Sequence, residues 1–177
     1  MTTNESALTS EIGSHLTLRP ATAADAALIV SFIRELAAYE REPESAILTE
    51  ADVVRDGFST TPKFRVVIAE WDGKPAGFAF YFNNYSTWRG RPGVYLEDLF
   101  VRPEFRGKGI GKALLAHLAR IALDTQCYGM RWQVLDWNEP AIKFYESLGA
   151  TFLREWLTIR LDGEPLARLA RESAIIE

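Results

Sequence analysis

The sequence predicts a single-domain α/β fold, a mixed, mostly antiparallel central sheet flanked by helices, and three observations carry that prediction. Segments of strand-like alternation are interspersed with segments of helical period. Two of the strand-like segments, FRVVIAEW and AGFAFYF, flank Asp72-Gly73, a dipeptide that favours a tight antiparallel hairpin. A glycine-rich turn then links a third strand to an amphipathic helix. At 177 residues, 47% hydrophobic and 25% charged, the chain suits one globular domain with one proper core.

Residues 1–14 are polar and aperiodic and read as a disordered tail, leaving 15–177 as the domain. HLTLR alternates like a half-buried strand. Thr22 with Asp25 forms a capping-box-like start for a helix through about Ala38, with Ile29, Phe32, Ile33 and Leu36 as its apolar stripe. The same period brings Tyr39 and Glu40 near that stripe. A short helix near TEADVVRDGF precedes the hairpin. Val94 to Val101 reads as a strand, and Ile110 to Asp124 as a helix presenting Ile110, Leu114, Leu118 and Ile121 on one face. A strand MRWQVL, a helix from about Glu139 to Leu148 ended by Gly149, a strand TFLREWLTIRL turning at Asp162-Gly163 and a short closing helix complete the order.

Composition excludes several functions. A net charge of -4 and a pI near 5.3 repel phosphate backbones, so no nucleic-acid partner is expected. No run of 18 apolar residues is present and the N-terminus lacks a signal-peptide pattern, so the expectation is a cytoplasmic protein without a membrane partner. One cysteine, Cys127, and two histidines, His15 and His117, give no metal-ligand spacing, and none has a plausible catalytic partner.

The turn Arg106, Gly107, Lys108, Gly109, Ile110, Gly111, Lys112 sits where a strand gives way to a helix, so several backbone N–H groups lack helical partners. Such an end attracts an anion, and glycines let a phosphate approach the backbone. Glycines alone could merely shape a connection; three basic residues among them point to a ligand. A Walker P-loop is ruled out because Ala113 follows Lys112 and Arg106 occupies the first glycine position. The dinucleotide fingerprint fails because Lys112 stands at its last glycine. Another pyrophosphate carrier remains.

RGKGIG, Arg106 to Gly111, matches the R/Q-x-x-G-x-G/A signature, and the chain resembles the GNAT superfamily of acetyl-CoA-dependent N-acetyltransferases. More narrowly, RPATAAD, ELAAYE, ILTEADVVRDGF, VYLEDLFV, DWNEPAIKFYESLGA and the late EW resemble the diamine acetyltransferases, the spermidine/spermine and thialysine group, from about Leu18 to Ala170. The resemblance implies acetyl-CoA as cosubstrate and no metal. It implies that the backbone of Leu99, Phe100 and Val101 pairs with the pantetheine arm, that Arg106 to Lys112 hold the pyrophosphate, and that Asn138 and Tyr145 contact the cofactor. Tyr145 is then the acid for the departing thiolate. Tyr39, Glu40, Trp88, Glu155 and Trp156 match amine-binding positions, and a homodimer is implied. Where spermidine-specific relatives carry YDPW, this chain has YSTW, so Ser86 replaces an acidic residue and a lysine-like amine is as plausible as a polyamine.

Acetyl transfer to an amine, by direct attack in a ternary complex, requires removal of an ammonium proton; near pKa 10.4 only about a thousandth of the amine is free at neutral pH. Glu97 is the candidate base. Glu97 and its neighbour Asp98 lie within a strand, where successive side chains alternate faces, so either one is buried or a local bulge turns both toward one cleft. Internal Arg or Lys partners would make them structural; a cationic substrate would make them functional. Two alternatives stand beside the diamine reading: another acceptor, such as a protein terminus or an antibiotic, and a non-catalytic coenzyme A sensor.

Overall fold

The computed structural model describes residues 13–173, so most of the expected N-terminal tail lies outside the described residues. The chain forms two compact units, Met1–Gln133 and Val134–Glu177. The first carries a five-stranded sheet in the order β1 (Leu16–Pro20), β2 (Arg65–Trp71), β3 (Lys74–Ser86), β4 (Arg91–Val101) and β5 (Met130–Arg131). The first four are antiparallel neighbours and β5 runs parallel to β4. Its helices include α1 (Ala26–Tyr39), α2 (Glu50–Gly57) and α3 (Ile110–Asp124). The second unit holds α4 (Glu139–Ser147) and α5 (Gly163–Arg171).

Helix α1 packs its predicted stripe on one face of the sheet. Phe32 is fully buried, stacked on Phe78 at 5.2 Å and edge-on to Phe100 at 6.3 Å. Phe80 and Phe82, two and four residues beyond Phe78 on β3, continue the same face. The alternate residues Ala79, Tyr81, Val94 and Leu96 are buried outside this cluster, on the opposite face. Helix α3, with Ile110, Leu114 and Leu118 buried, packs on β2, β3 and β4. The box expected at Thr22 forms, on a short 3-10 turn ahead of α1: Thr22 N–H donates to Asp25 Oδ2 at 2.8 Å. Thr49 and Asp52 cap α2 in the same way.

One long-range ion pair fixes where α1 ends relative to the sheet. Arg102, just past β4, donates to both Glu35 oxygens at 2.7 and 2.9 Å and to the Pro75 carbonyl at 2.9 Å, while its guanidinium lies 4.7 Å from the Phe32 ring centre. The Arg102 guanidinium, opposed by burial and aided by Ser31, holds Glu35 below the usual carboxylate range.

Three expectations are corrected. The strand read over 151–161 is absent: no strand is assigned there, and Leu157 and Ile159 are 85% and 88% exposed. Alternation shows which side chains can share a face, but a strand also needs a partner ladder, and none pairs with these residues among those described. The strand expected over 130–135 is only Met130–Arg131, because β4 offers parallel partners at Val94 and Tyr95 alone. The β3–β4 hairpin, conversely, extends to Ser86 and Arg91. Gly93 makes that possible, since a Cβ there would lie 2.4 Å from the Tyr128 ring that covers it.

Gly77 shows how tightly β3 and β4 are joined, because an added Cβ would sit 2.4 Å from the Phe100 carbonyl oxygen. Backbone cannot swing aside as a side chain can. Gly77→Ala is expected to cost about 2 kcal/mol or more, read as a lowered urea midpoint at unchanged slope.

Candidate active site

The carboxylate pair is placed by a slip in strand register. Phe80 pairs with Asp98 but Tyr81 pairs with Leu96, so Glu97 is an extra residue on β4. Leu96 therefore faces α3 with Tyr81, while Asp98 faces the α1 side with Phe80. On the other side of the bulge, Tyr95 returns to the α1 side and stacks on Phe82 at 5.1 Å. An acid and an aromatic three residues apart, which strict alternation would separate, share one face. Phe80 in turn stacks on Phe64 at 4.1 Å, closing the aromatic wall beside Asp98.

Among the described residues no Lys or Arg forms an ion pair with Glu40, Glu97 or Asp98. Asp98 is half-buried, and burial, then Glu97, then Glu40 push its carboxyl up to about 7. Burial also raises Glu40, at the end of α1. Glu97 is exposed on the bulge. Burial and the Glu97 charge raise the Tyr95 phenol as well.

The glycine-rich turn adopts the conformation its glycines permit. Gly107 and Gly109 have φ of 76° and 77°, in the left-handed region. Gly109 is the N-cap of α3, and the first helical bond runs from Ala113 N–H to the Gly109 carbonyl at 3.0 Å. The N–H groups of Ile110, Gly111 and Lys112 precede that bond, outside the helical ladder. Space over Gly107 is open, with nothing within 4 Å of where a Cβ would stand. Arg106 donates through Nε to the Val101 carbonyl at 3.0 Å and lies 4.8 Å from the Tyr39 ring centre. Lys108 Nζ lies 4.8 Å from the Trp71 ring centre. A diphosphate fits this open, donor-rich turn. Alongside it, among the described residues no strand pairs with β4 beyond Tyr95 on its β5 side, so Leu99, Phe100 and Val101, paired with β3 on one side, present their other edge without a ladder partner.

Comparison with known proteins shows the family of this chain. Residues 29–150 match the Acetyltransferase (GNAT) family. The chain belongs to that family. The matched span runs from the first compact unit into the second, so both are parts of one GNAT domain, and the protein is a GNAT acyltransferase. It is 39% identical over 164 residues to the thialysine N-epsilon-acetyltransferase of Bos taurus, covering 86% of this chain and 96% of that protein. It is also 39% identical over 165 residues to the spermidine/spermine N(1)-acetyltransferase-like protein 1 of Homo sapiens, covering 88% of this chain and 24% of that longer protein. Among solved structures, an integron cassette protein from the mobile metagenome of V. cholerae superposes with a TM-score of 0.75 at 31% identity, over 89% of this chain and 99% of that one.

The remaining GNAT site candidates are distributed unevenly. In the second unit Asn138 caps α4, its Oδ1 accepting from Ala141 N–H at 3.4 Å, and Tyr145 is buried with the Phe144 ring 5.4 Å away. Glu155 and Trp156 are exposed there. Trp88 is 88% exposed at the tip of the β3–β4 hairpin. Six residue pairs separate that tip from Phe80–Asp98, roughly 20 Å of strand. Ser86 accepts the Arg89 N–H at 3.2 Å and is thereby engaged in the hairpin turn. Tyr95 and Phe82 were not singled out from sequence, because the bulge that turns Tyr95 toward Asp98 leaves no mark in residue order.

The ionised form of Asp98 costs the fold stability. Its folded-state pKa lies above the unfolded value, so between about pH 4 and pH 7 the folded protein binds more protons and stability falls as pH rises. Asp98→Asn is expected to stabilise by up to about 4 kcal/mol at pH 8, less in proportion as water screens the half-buried carboxyl, with the gain vanishing below about pH 4 and level above pH 7. Urea titrations across that range check both the sign and the window.

Proposed function

We propose that this GNAT protein transfers acetyl from acetyl-CoA to a primary amine of a small polyamine, diamine or thialysine/lysine-like acceptor, by direct attack within a ternary complex. The observation that carries this reading is the pair Glu97–Asp98, with Glu40, left without a cation on an aromatic-walled sheet face. A partly buried carboxyl cluster without a cation is unfavourable by itself, and a protonated amine reduces that penalty. Relatives named for thialysine and for spermidine/spermine, both amine acceptors, support the same choice.

The turn from Arg106 to Lys112 would hold the diphosphate through backbone N–H groups and the dipole of α3, and the free edge at Leu99–Val101 would align the pantetheine arm. When bound, acetyl-CoA supplies an acetyl group activated as a thioester. Asp98 takes the amine proton: a carboxyl titrating near 7 is closer to the ammonium's pKa than an ordinary carboxylate, and it is ionised in half the molecules at neutral pH. Sequence reasoning gave that role to Glu97. We assign it to Asp98, with Glu97 and Glu40 as the charges that tune it and draw the cation in. Tyr145 donates a hydrogen bond to the departing sulfur, and Asn138 contacts the cofactor. Tyr39, Glu40, Glu155 and Trp156 bind the amine, whereas Trp88, roughly 20 Å of strand from Asp98, stands outside the reach of an amine held there. We further propose a homodimer, to which the exposed segment with Leu157 and Ile159 would contribute, working in the cytoplasm.

A panel of diamines, polyamines, lysine analogues, amino-terminal peptides and aminoglycosides, read by coenzyme A release, tests the acceptor class. Acetylation of diamines or lysine analogues is expected, and failure of all of them rejects the reading. For the accepted amine, kcat/KM is expected to rise tenfold per pH unit up to about pH 7 and then to bend over. Asp98→Asn is expected to lower it 10²–10⁴-fold and remove that bend. Glu40→Gln moves the bend to lower pH, because a like charge is lost. Tyr145→Phe is expected to lower kcat at least tenfold with acetyl-CoA affinity within threefold; unchanged turnover would make Tyr145 a packing residue.

A further inference from the structure

The face that carries Asp98 also carries an unpaired cation. Arg131 pairs with Tyr95 in the β4–β5 ladder, and residues paired across a ladder project to the same side of the sheet. Tyr95 projects to the α1 side, as its stacking on Phe82 shows. A second observation gives the same placement. The Arg131 guanidinium lies 5.5 Å from the Tyr128 ring centre, and that ring sits where a Gly93 side chain would be, two residues from Tyr95 and so on the same face. Asn84, opposite Gly93, donates to the Tyr128 hydroxyl at 3.2 Å and holds the ring in place. Arg131 is exposed and takes part in no ion pair among the described residues.

We propose that Arg131 binds the carboxylate of the acceptor, and that the preferred acceptor is therefore an amino acid with a terminal amine rather than a diamine or polyamine. The proposal rests on the small-amine reading above and narrows it. Asp98 and Tyr95 are three residues apart on β4, roughly 10 Å at most given the bulge, and β5 lies about 4.8 Å beyond β4. An extended lysine spans roughly 7 Å from its terminal nitrogen to its carboxyl carbon, and a hydrogen bond of about 3 Å at each end covers the remainder. The aliphatic stem then lies along Phe82 and Tyr95, which are half-buried and present their apolar surface to this face. Tyr128 holds the guanidinium on this face beside Gly93, from where it reaches an acceptor carboxylate by swinging past Tyr95, and a planar guanidinium suits a carboxylate better than an ammonium does. A polyamine would instead set a second positive charge against Arg131. Of the further arginines on this face, Arg102 is paired with Glu35, Arg106 belongs to the glycine-rich turn and donates to the Val101 carbonyl, and Arg91, four residues beyond Tyr95 and roughly 13 Å farther out, is beyond the reach of an acceptor anchored at Asp98.

Lysine and 1,5-diaminopentane differ by that one carboxylate, which makes them the decisive pair of acceptors, with ornithine and 1,4-diaminobutane as a shorter pair. The native enzyme is expected to favour at least one amino acid over its diamine by tenfold or more in kcat/KM. Arg131→Gln is expected to bring that ratio to about one, by raising KM for the amino acid with kcat within threefold and leaving the diamine unchanged or improved. Lysine methyl ester removes the charge from the acceptor instead: it should lose the same factor with native enzyme and lose nothing further with Arg131→Gln, so the interaction appears as coupling in the cycle. A native preference for diamines, or an Arg131→Gln loss equal for both acceptors and the ester, overturns the proposal. If no amino acid, diamine or polyamine is acetylated by native enzyme, the small-amine reading fails first and takes this proposal with it. Those outcomes are distinct.

Discussion

Between Leu96 and Asp98 the β3–β4 ladder slips by one residue, and the chemistry of the sheet's α1 side depends on that slip. Without it, Asp98 would stand on the face of Leu96 and Val94, against α3, where an ionised carboxyl would face only buried apolar side chains. With it, the buried residues of β4 still serve two cores. Val94 and Leu96 complete the α3 side, Phe100 completes the α1 side, and the acid between them reaches a wall of Phe80, Phe82 and Tyr95. The bulge lets one strand change which core it serves while exposing an acid at the crossover.

The same molecule shows how it treats acids whose purpose is to hold the fold. Arg19 engages Asp25 at 2.8 Å and Glu70 at 2.8 Å, linking the start of α1 to β1 and β2, and the Arg19 guanidinium keeps Asp25 far below the usual carboxylate range. Glu35 has Arg102. Both acids shift downward, as charges do when a partner is built in. Asp98 and Glu40 shift the other way. The opposite signs separate two uses of one residue type on one sheet.

Much of this was legible in residue order. Ile110–Asp124 forms over the predicted span because its apolar period and the glycine before it agree, and the Thr22–Asp25 and Thr49–Asp52 boxes set helix starts by purely local hydrogen bonds. The anion-seeking turn was legible for the same reason, since φ at Gly107 and Gly109 is a local property. What escaped was everything decided across the sheet. The bulge depends on how β3 and β4 align, the two-residue length of β5 on where β4 offers a parallel edge, and the missing strand over 151–161 on the lack of a neighbour. Alternation in TFLREWLTIRL is real, but periodicity describes one chain segment while a ladder needs two. Arg131 was unreadable for that reason as well: its facing is inherited from Tyr95, and that of Tyr95 from the bulge.

The perch of Lys108 above Trp71 carries one more implication. The ammonium stands 4.8 Å from the indole centre, and His15 stacks on the same ring at 5.3 Å. A ligand that recruits Lys108 to a phosphate must lift it from that ring, exchanging a cation for water over an excited-state dipole. If the turn holds the diphosphate as proposed, Trp71 would serve as an intrinsic optical gauge of occupancy at the loop, reporting on the nucleotide end of the cosubstrate.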